Sequence, residues 1–168
     1  SRTELRKGKL RLRLDKKHTL PATDAQQREV RLWLGRFATR QPEQKFFAVL
    51  DVARRVAGVG SLGLSRYVVL VRGNRSHGGH VILDAKQVPP SSLARVERVR
   101  QPVWKSEADR VVAIEHRMQA ATPALLHTMR IGRDAHVMSE LQPSQNRLTP
   151  NDAGGDARRL CSGVETMG

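Results

Sequence analysis

The sequence predicts an α+β fold in which an antiparallel sheet carries one main helix, with a strand and a helix placed before it. Two β-rich runs, 52–57 and 66–71, bracket the glycine stretch Gly58-Val59-Gly60-Ser61-Leu62-Gly63. A third run, Val81-Ile82-Leu83-Asp84-Ala85-Lys86-Gln87-Val88, has the length and composition of another strand. Two segments with helical spacing begin behind capping residues, one after Thr23 and one after Ser106.

Taken in order, residues 9–14 read Lys-Leu-Arg-Leu-Arg-Leu, a strict alternation that predicts a strand with one basic face. The polar turn Asp15-Lys16-Lys17-His18 ends it. A helix is expected over 24–39, because Thr23 with Gln26 makes a capping box. Val30, Trp33, Leu34, Phe37 and Ala38 form its apolar stripe, which core packing explains without a ligand. Gln41-Pro42 breaks that helix, and residues 44–51 are ambiguous.

The glycine-rich segment 73–79 predicts the turn before the third strand, and Pro89-Pro90-Ser91-Ser92 closes that strand. Residues 93–103 are basic and irregular. Ser106 with Asp109 then predicts a second capping box and a helix to about Ala121, with Val111, Ile114, Met118 and Ala121 as its apolar positions. Glu115 sits on or beside that stripe. Pro123 ends the helix. Met129–Ile131 and His136–Leu141 predict a hairpin around Gly132-Arg133-Asp134. Beyond Pro143 the apolar pattern stops, and 149–157 is rich in Pro, Asn, Asp and Gly, which predicts a loop or a disordered tail.

Composition narrows the function classes. Thirty Lys and Arg stand against sixteen Asp and Glu, a formal charge of +14, which points to polyanionic partners: nucleic acid, a membrane surface or nucleotide phosphates. Eight of those cations fall within residues 1–20, and the rest are scattered. No arginine-rich recognition helix and no aromatic-basic strand motif occurs, so specific nucleic-acid binding is not expected. No apolar run is long enough to span a membrane and no signal-peptide pattern opens the sequence. The single cysteine, Cys161, excludes an intramolecular disulfide and, with the missing signal, points to the cytoplasm. The first residue is Ser rather than Met, which points to a fragment or a processed form.

The glycine stretch carries the functional expectation. A dinucleotide fingerprint needs a helix opening directly after the glycines, and the β-branched run 66–71 is a poor helix start. Strand, glycine loop, strand is instead the geometry of a flap folded over nucleotide phosphates, as in protein-kinase-like small lobes. Gly58, Gly60, Ser61 and Gly63 would let backbone N–H groups reach the phosphates, and Lys86 would meet them from the third strand. The bland alternative is a β-hairpin with a glycine bulge. A carboxylate leaving water at Glu115 needs a cation, and Lys86 is the natural one, with Glu107 as the competing partner; the alternative is that Glu115 snorkels at the edge of the stripe. His77 and His80 flank two glycines without a Cys or carboxylate cluster, so no metal site is expected. Asp134-Ala135-His136 superficially matches a catalytic loop, but no Asn follows at the required spacing; no catalytic residue is assigned.

The run from Asp51 to Val71 is very similar to the core of a bacterial family known as domain of unknown function 2252. Leu83-Asp84-Ala85-Lys86-Gln87 with Pro90-Ser91-Ser92-Leu93 resembles its lysine-glutamate stretch, and Glu107–Val112 with Arg117–Ala121 resembles the helix after it. Glu140–Leu148 resembles its glutamate-leucine-glutamine-proline stretch. The resemblance covers about residues 44–149. It implies a distant relationship to kinase-like phosphotransferases, with ATP as ligand and Mg²⁺ only with acidic segments that this chain does not contain. Gln87 stands where the family usually has glutamate, and Ser139 where it usually has arginine. The expected organisation is a basic N-terminal strand and helix over 1–43, a small-lobe segment with the glycine loop over 44–149, and a disordered or truncated tail over 150–168. The expected role is to hold a nucleotide's phosphates, inactive alone, with the rest of the domain as a partner. The alternatives are a non-catalytic remnant and a basic nucleic-acid-binding module.

Overall fold

A computed structural model describes residues 2–56, 63–74, 78–96 and 102–141. The described residues form an α+β structure with two antiparallel sheets. The first is a hairpin of β1 (Thr3–Arg6) and β2 (Lys9–Leu12). Only the second strand is expected from the alternation. The first forms because Lys7 and Gly8 both take positive φ, 51° and 71°, which is what a two-residue turn of the I′ type requires between Arg6 and Lys9.

The second sheet has six strands in the order β3-β4-β5-β6-β8-β7: β3 (Thr19–Pro21), β4 (Val49–Arg55), β5 (Arg66–Val71), β6 (Val81–Gln87), β7 (His127–Ile131) and β8 (Asp134–Glu140). The runs on either side of the glycine stretch are therefore paired strands, as expected, and so is the Lys86 run. Strand β3 went unforeseen: three residues ending in proline carry no alternation. The edge of the sheet tolerates Pro21, because an edge strand leaves one row of N–H groups unpaired. Gly132 has a φ of 59° at the first position of the Gly132-Arg133 turn between β7 and β8, the pattern of a II′ hairpin.

Helix α1 (Asp24–Ala38) has the expected cap: Gln26 N–H donates to Thr23 Oγ1 at 3.3 Å, and Thr23 N–H donates to Gln26 Oε1 at 3.0 Å. Its buried residues Val30, Leu34 and Ala38 lie against one face of the large sheet, where Val52, Tyr67, Val69, Leu83 and Met138 complete the main core. Trp33 and Phe37 pack at its margin, their rings 5.1 Å apart. The ambiguous stretch 44–51 resolves into a 3₁₀ turn, Gln44–Phe47, followed by the start of β4.

The opposite face carries a smaller core, in which Leu12 meets Ala53, Val68 and Leu70, with Leu10, Leu14 and Ile82 around them. Thus residues 1–43 contribute a strand to the large sheet and cover to both its faces. Because side chains alternate along a strand, β6 sends Leu83 and Ala85 to the main core while Ile82, Asp84 and Lys86 share the other face.

Helix α2 (Glu107–Met118) packs beside β7 and β8. It stops three residues short of the expected Ala121, because Gln119 is already extended at φ −102° and ψ 128°. Its phase also differs from the expected stripe. Ala108 is buried, whereas Ile114 is 42% and Met118 79% exposed. Adjacent Val111 and Val112 fit two helical phases, and tertiary packing selects the one that carries Ala108, Val111 and Glu115 toward the sheet. The Ser106 cap is half of the expected box: Asp109 N–H donates to Ser106 Oγ at 3.2 Å, but the Asp109 carboxylate accepts the Ser106 hydroxyl instead of reaching back to the Ser106 N–H.

Candidate functional site

Between the β1–β2 hairpin and α2, the second face of the large sheet is left uncovered, and a cavity of about 500 Å³ opens there. Its floor comes from three neighbouring strands. Arg66 on β5 pairs in register with Lys86 on β6, and Lys86 pairs with Val137 on β8. Asp84 lies two residues before Lys86, on the same face. The volume falls within the roughly 300–1,000 Å³ typical of small-molecule sites.

Charge on this floor is sorted by pairing. Asp84 is only 8% exposed and accepts from Arg66 through Nε at 2.8 Å and through the terminal nitrogen beside it. Arg55 lies 3.6 Å from the same carboxylate. The bond to Asp84 holds the Arg66 guanidinium further above its ordinary value. This neutralises the carboxylate and keeps two arginines fixed. Lys86 is exposed and enters no salt bridge among the described residues, so its ammonium group is available to an incoming anion.

Lys86 and Glu115 line the same cavity, one from β6 and the other from the helix that follows it. They are not ion-paired with each other. Glu107 does not line the cavity; its carboxylate accepts from Arg110 Nε at 2.7 Å, an i,i+3 pair on the same helix. Of the glycine stretch, Gly58, Gly60 and Ser61 lie outside the described residues. Gly63 is described with a φ of 82°, and Leu64, directly after it, borders the cavity.

The exit of the glycine stretch is anchored from beneath. Ser65 N–H donates to Gln87 Oε1 at 2.8 Å, and Ser65 Oγ lies 2.8 Å from His136 Nε2. His136 is fully buried, with Nδ1 3.1 Å from the Asp134 carbonyl oxygen. The Asp134-Ala135-His136 string therefore serves a turn and a buried anchor. Gln87 thus fixes the exit of the glycine stretch by accepting the Ser65 N–H.

Sequence reasoning missed Asp84, Arg66 and Arg55. Strand alternation signals that Asp84 shares a face with Lys86, but only the register brings Arg66 to them. Among the described residues no group of three or more His, Cys, Asp and Glu side chains is placed to hold a metal ion. None of their helices is long and apolar enough to cross a membrane.

No curated protein and no solved structure gives a significant match to the chain. The family model for "Uncharacterized protein conserved in bacteria (DUF2252)" matches residues 1–168, further at both ends than the 44–149 that individual motifs suggest. The strands on either side of the glycine stretch, the Lys86 strand and the helix after it are thus parts of one family pattern that also takes in the N-terminal hairpin and helix, and the chain belongs to that bacterial family.

Proposed function

We propose that this protein holds the phosphates of a nucleoside triphosphate in the Lys86 cavity, in the manner of the small lobe of a kinase-like fold. The observation that carries the reading is a convergence. The exit of the glycine stretch, a strand lysine and a glutamate on the next helix all border one cavity. In kinase-like folds those three parts cover, contact and orient the phosphates.

The chemistry at each position supports it. Glycines without Cβ let backbone N–H groups approach an anion, so Gly58, Gly60, Ser61 and Gly63 are the proposed flap. Lys86 supplies a mobile point charge on a floor where Arg55 and Arg66 are held by Asp84. Glu115, rather than Glu107, is the proposed orienting partner, reaching Lys86 across the cavity when ligand closes it. Phosphoryl transfer would further need carboxylates for Mg²⁺ and a residue that positions the nucleophile. We assign neither to this chain, so the reading is of binding, with turnover left to the remainder of a larger assembly.

Calorimetric titration of the wild type and of Lys86→Ala with MgATP tests this. Loss of the charged contact is expected to weaken binding at least about tenfold. Equal affinity in the two proteins, or no binding by either, would refute it. Duplex DNA serves as the second titrant. Tight DNA binding that falls steeply with salt, with no ATP competition, would favour the nucleic-acid reading instead.

A further inference from the structure

A second cavity, of about 320 Å³, lies between the β1–β2 hairpin and the same face of the sheet, next to the Lys86 cavity and sharing Arg2, Arg55 and Leu141 with it. Its composition is unlike that of a gap in a core. Leu12, Val68 and Ile82 form an aliphatic floor, while Arg2, Arg13 and Arg55 stand around it. Asp15, the one acid of its lining among the described residues, is already engaged. Its carboxylate accepts the backbone N–H groups of Lys17 at 3.0 Å, His18 at 2.6 Å and Thr19 at 2.8 Å, which holds it well below the usual carboxylate range. Asp15 is thus committed to shaping the loop that carries His18 and Thr19, two further members of the lining. Arg55 is tied to Asp84 at 3.6 Å, whereas Arg13 is exposed at the mouth.

We propose that this cleft binds a small amphipathic anion: an aryl or short acyl body on the aliphatic floor, with a single phosphate or carboxylate head among the arginines. An apolar floor rewards removal of hydrocarbon from water, and a guanidinium fork favours a planar or tetrahedral oxyanion. Neither part alone selects a ligand; together they select one with both properties. Although Arg2 and Arg55 border both cavities, Arg13 lines only this one and Lys86 only the other, so the two readings rest on different residues.

The test is a fluorescence titration with 1-naphthyl phosphate and 2-naphthoate, with 2-naphthol and inorganic phosphate as controls. One naphthyl anion is expected to bind at least about tenfold more tightly than either control, because charged hydrogen bonds and apolar burial each contribute on that scale. Whichever anion binds better identifies the head group. Arg13→Glu, at an exposed position, is expected to lower that affinity at least about tenfold. Lys86→Ala is expected to leave it unchanged, so the two cavities are judged independently. Equal binding of 2-naphthol, equal binding of inorganic phosphate, or indifference to Arg13→Glu would each overturn the proposal.

Discussion

At the scale of single residues, Asp84 organises the charge of the candidate site. It is nearly buried and is met by Arg66 and Arg55. Removing the carboxylate leaves two half-buried guanidinium groups without their counter-charge, which costs about 1–3 kcal/mol. Asp84→Ala is therefore expected to lower the urea midpoint at an unchanged slope, the shift multiplied by the slope giving that free-energy loss, and a loss under about 1 kcal/mol would contradict the assignment. His136 makes a different prediction. Nδ1 faces the Asp134 carbonyl oxygen, which can only accept, and burial, which disfavours the charged ring, pushes the pKa of His136 below the ordinary 6.5. The unfolded chain then binds a proton at higher pH than the folded one. The contribution of His136 is fully present above about 6.5 and declines as pH falls below it toward the folded-state value. Burial lowers His127 in the same direction. Thermal midpoints should drop between pH 7.5 and 5.5, and His136→Asn should show a smaller drop; equal drops would remove His136 as the cause. Lys86 and Glu115 were legible from their places on a strand and a helix. Asp84 was not singled out, because its role depends on Arg66, a diagonal neighbour on the paired strand far away in sequence.

At the scale of elements, local signals that fix backbone groups were the readable ones. Thr23 and Gln26 announce the start of α1, because the cap satisfies N–H groups that the helix leaves unpaired. Thr23→Ala is expected to cost about 1 kcal/mol, read from thermal unfolding, with no effect on ligand binding at either cavity. The turns at Lys7-Gly8 and Gly132-Arg133 define two hairpins through positive φ, yet the first was overlooked because Thr3–Arg6 has no apolar alternation. Helix α2 shows the limit of periodicity. Two neighbouring valines permit two phases, and the choice between them is made by the sheet beneath, which leaves Ile114 and Met118 outside. The same choice turns Glu115 toward the Lys86 cavity.

At the scale of the whole molecule, one six-stranded sheet has two different faces. Helix α1 closes the first with the main core, and the second is divided between a hairpin, a helix and two cavities. The α+β class and the order of strands around the glycine stretch were visible in sequence, since each strand has its own apolar run. The division of the second face was not, because it arises from contacts between residues near the N-terminus and strands more than thirty positions away. Arg11 donates to the Leu50 carbonyl oxygen at 3.0 Å, and Leu12 N–H donates to Asp51 at 2.9 Å, bonds that fasten the hairpin to β4. The most direct measurement of the central claim is an amide NMR map of the ¹⁵N-labelled protein titrated with MgATP. The account predicts saturable shifts centred on Leu64, Arg66, Lys86 and Glu115. Shifts gathered elsewhere on the molecule, or none at all at saturating nucleotide, would contradict it.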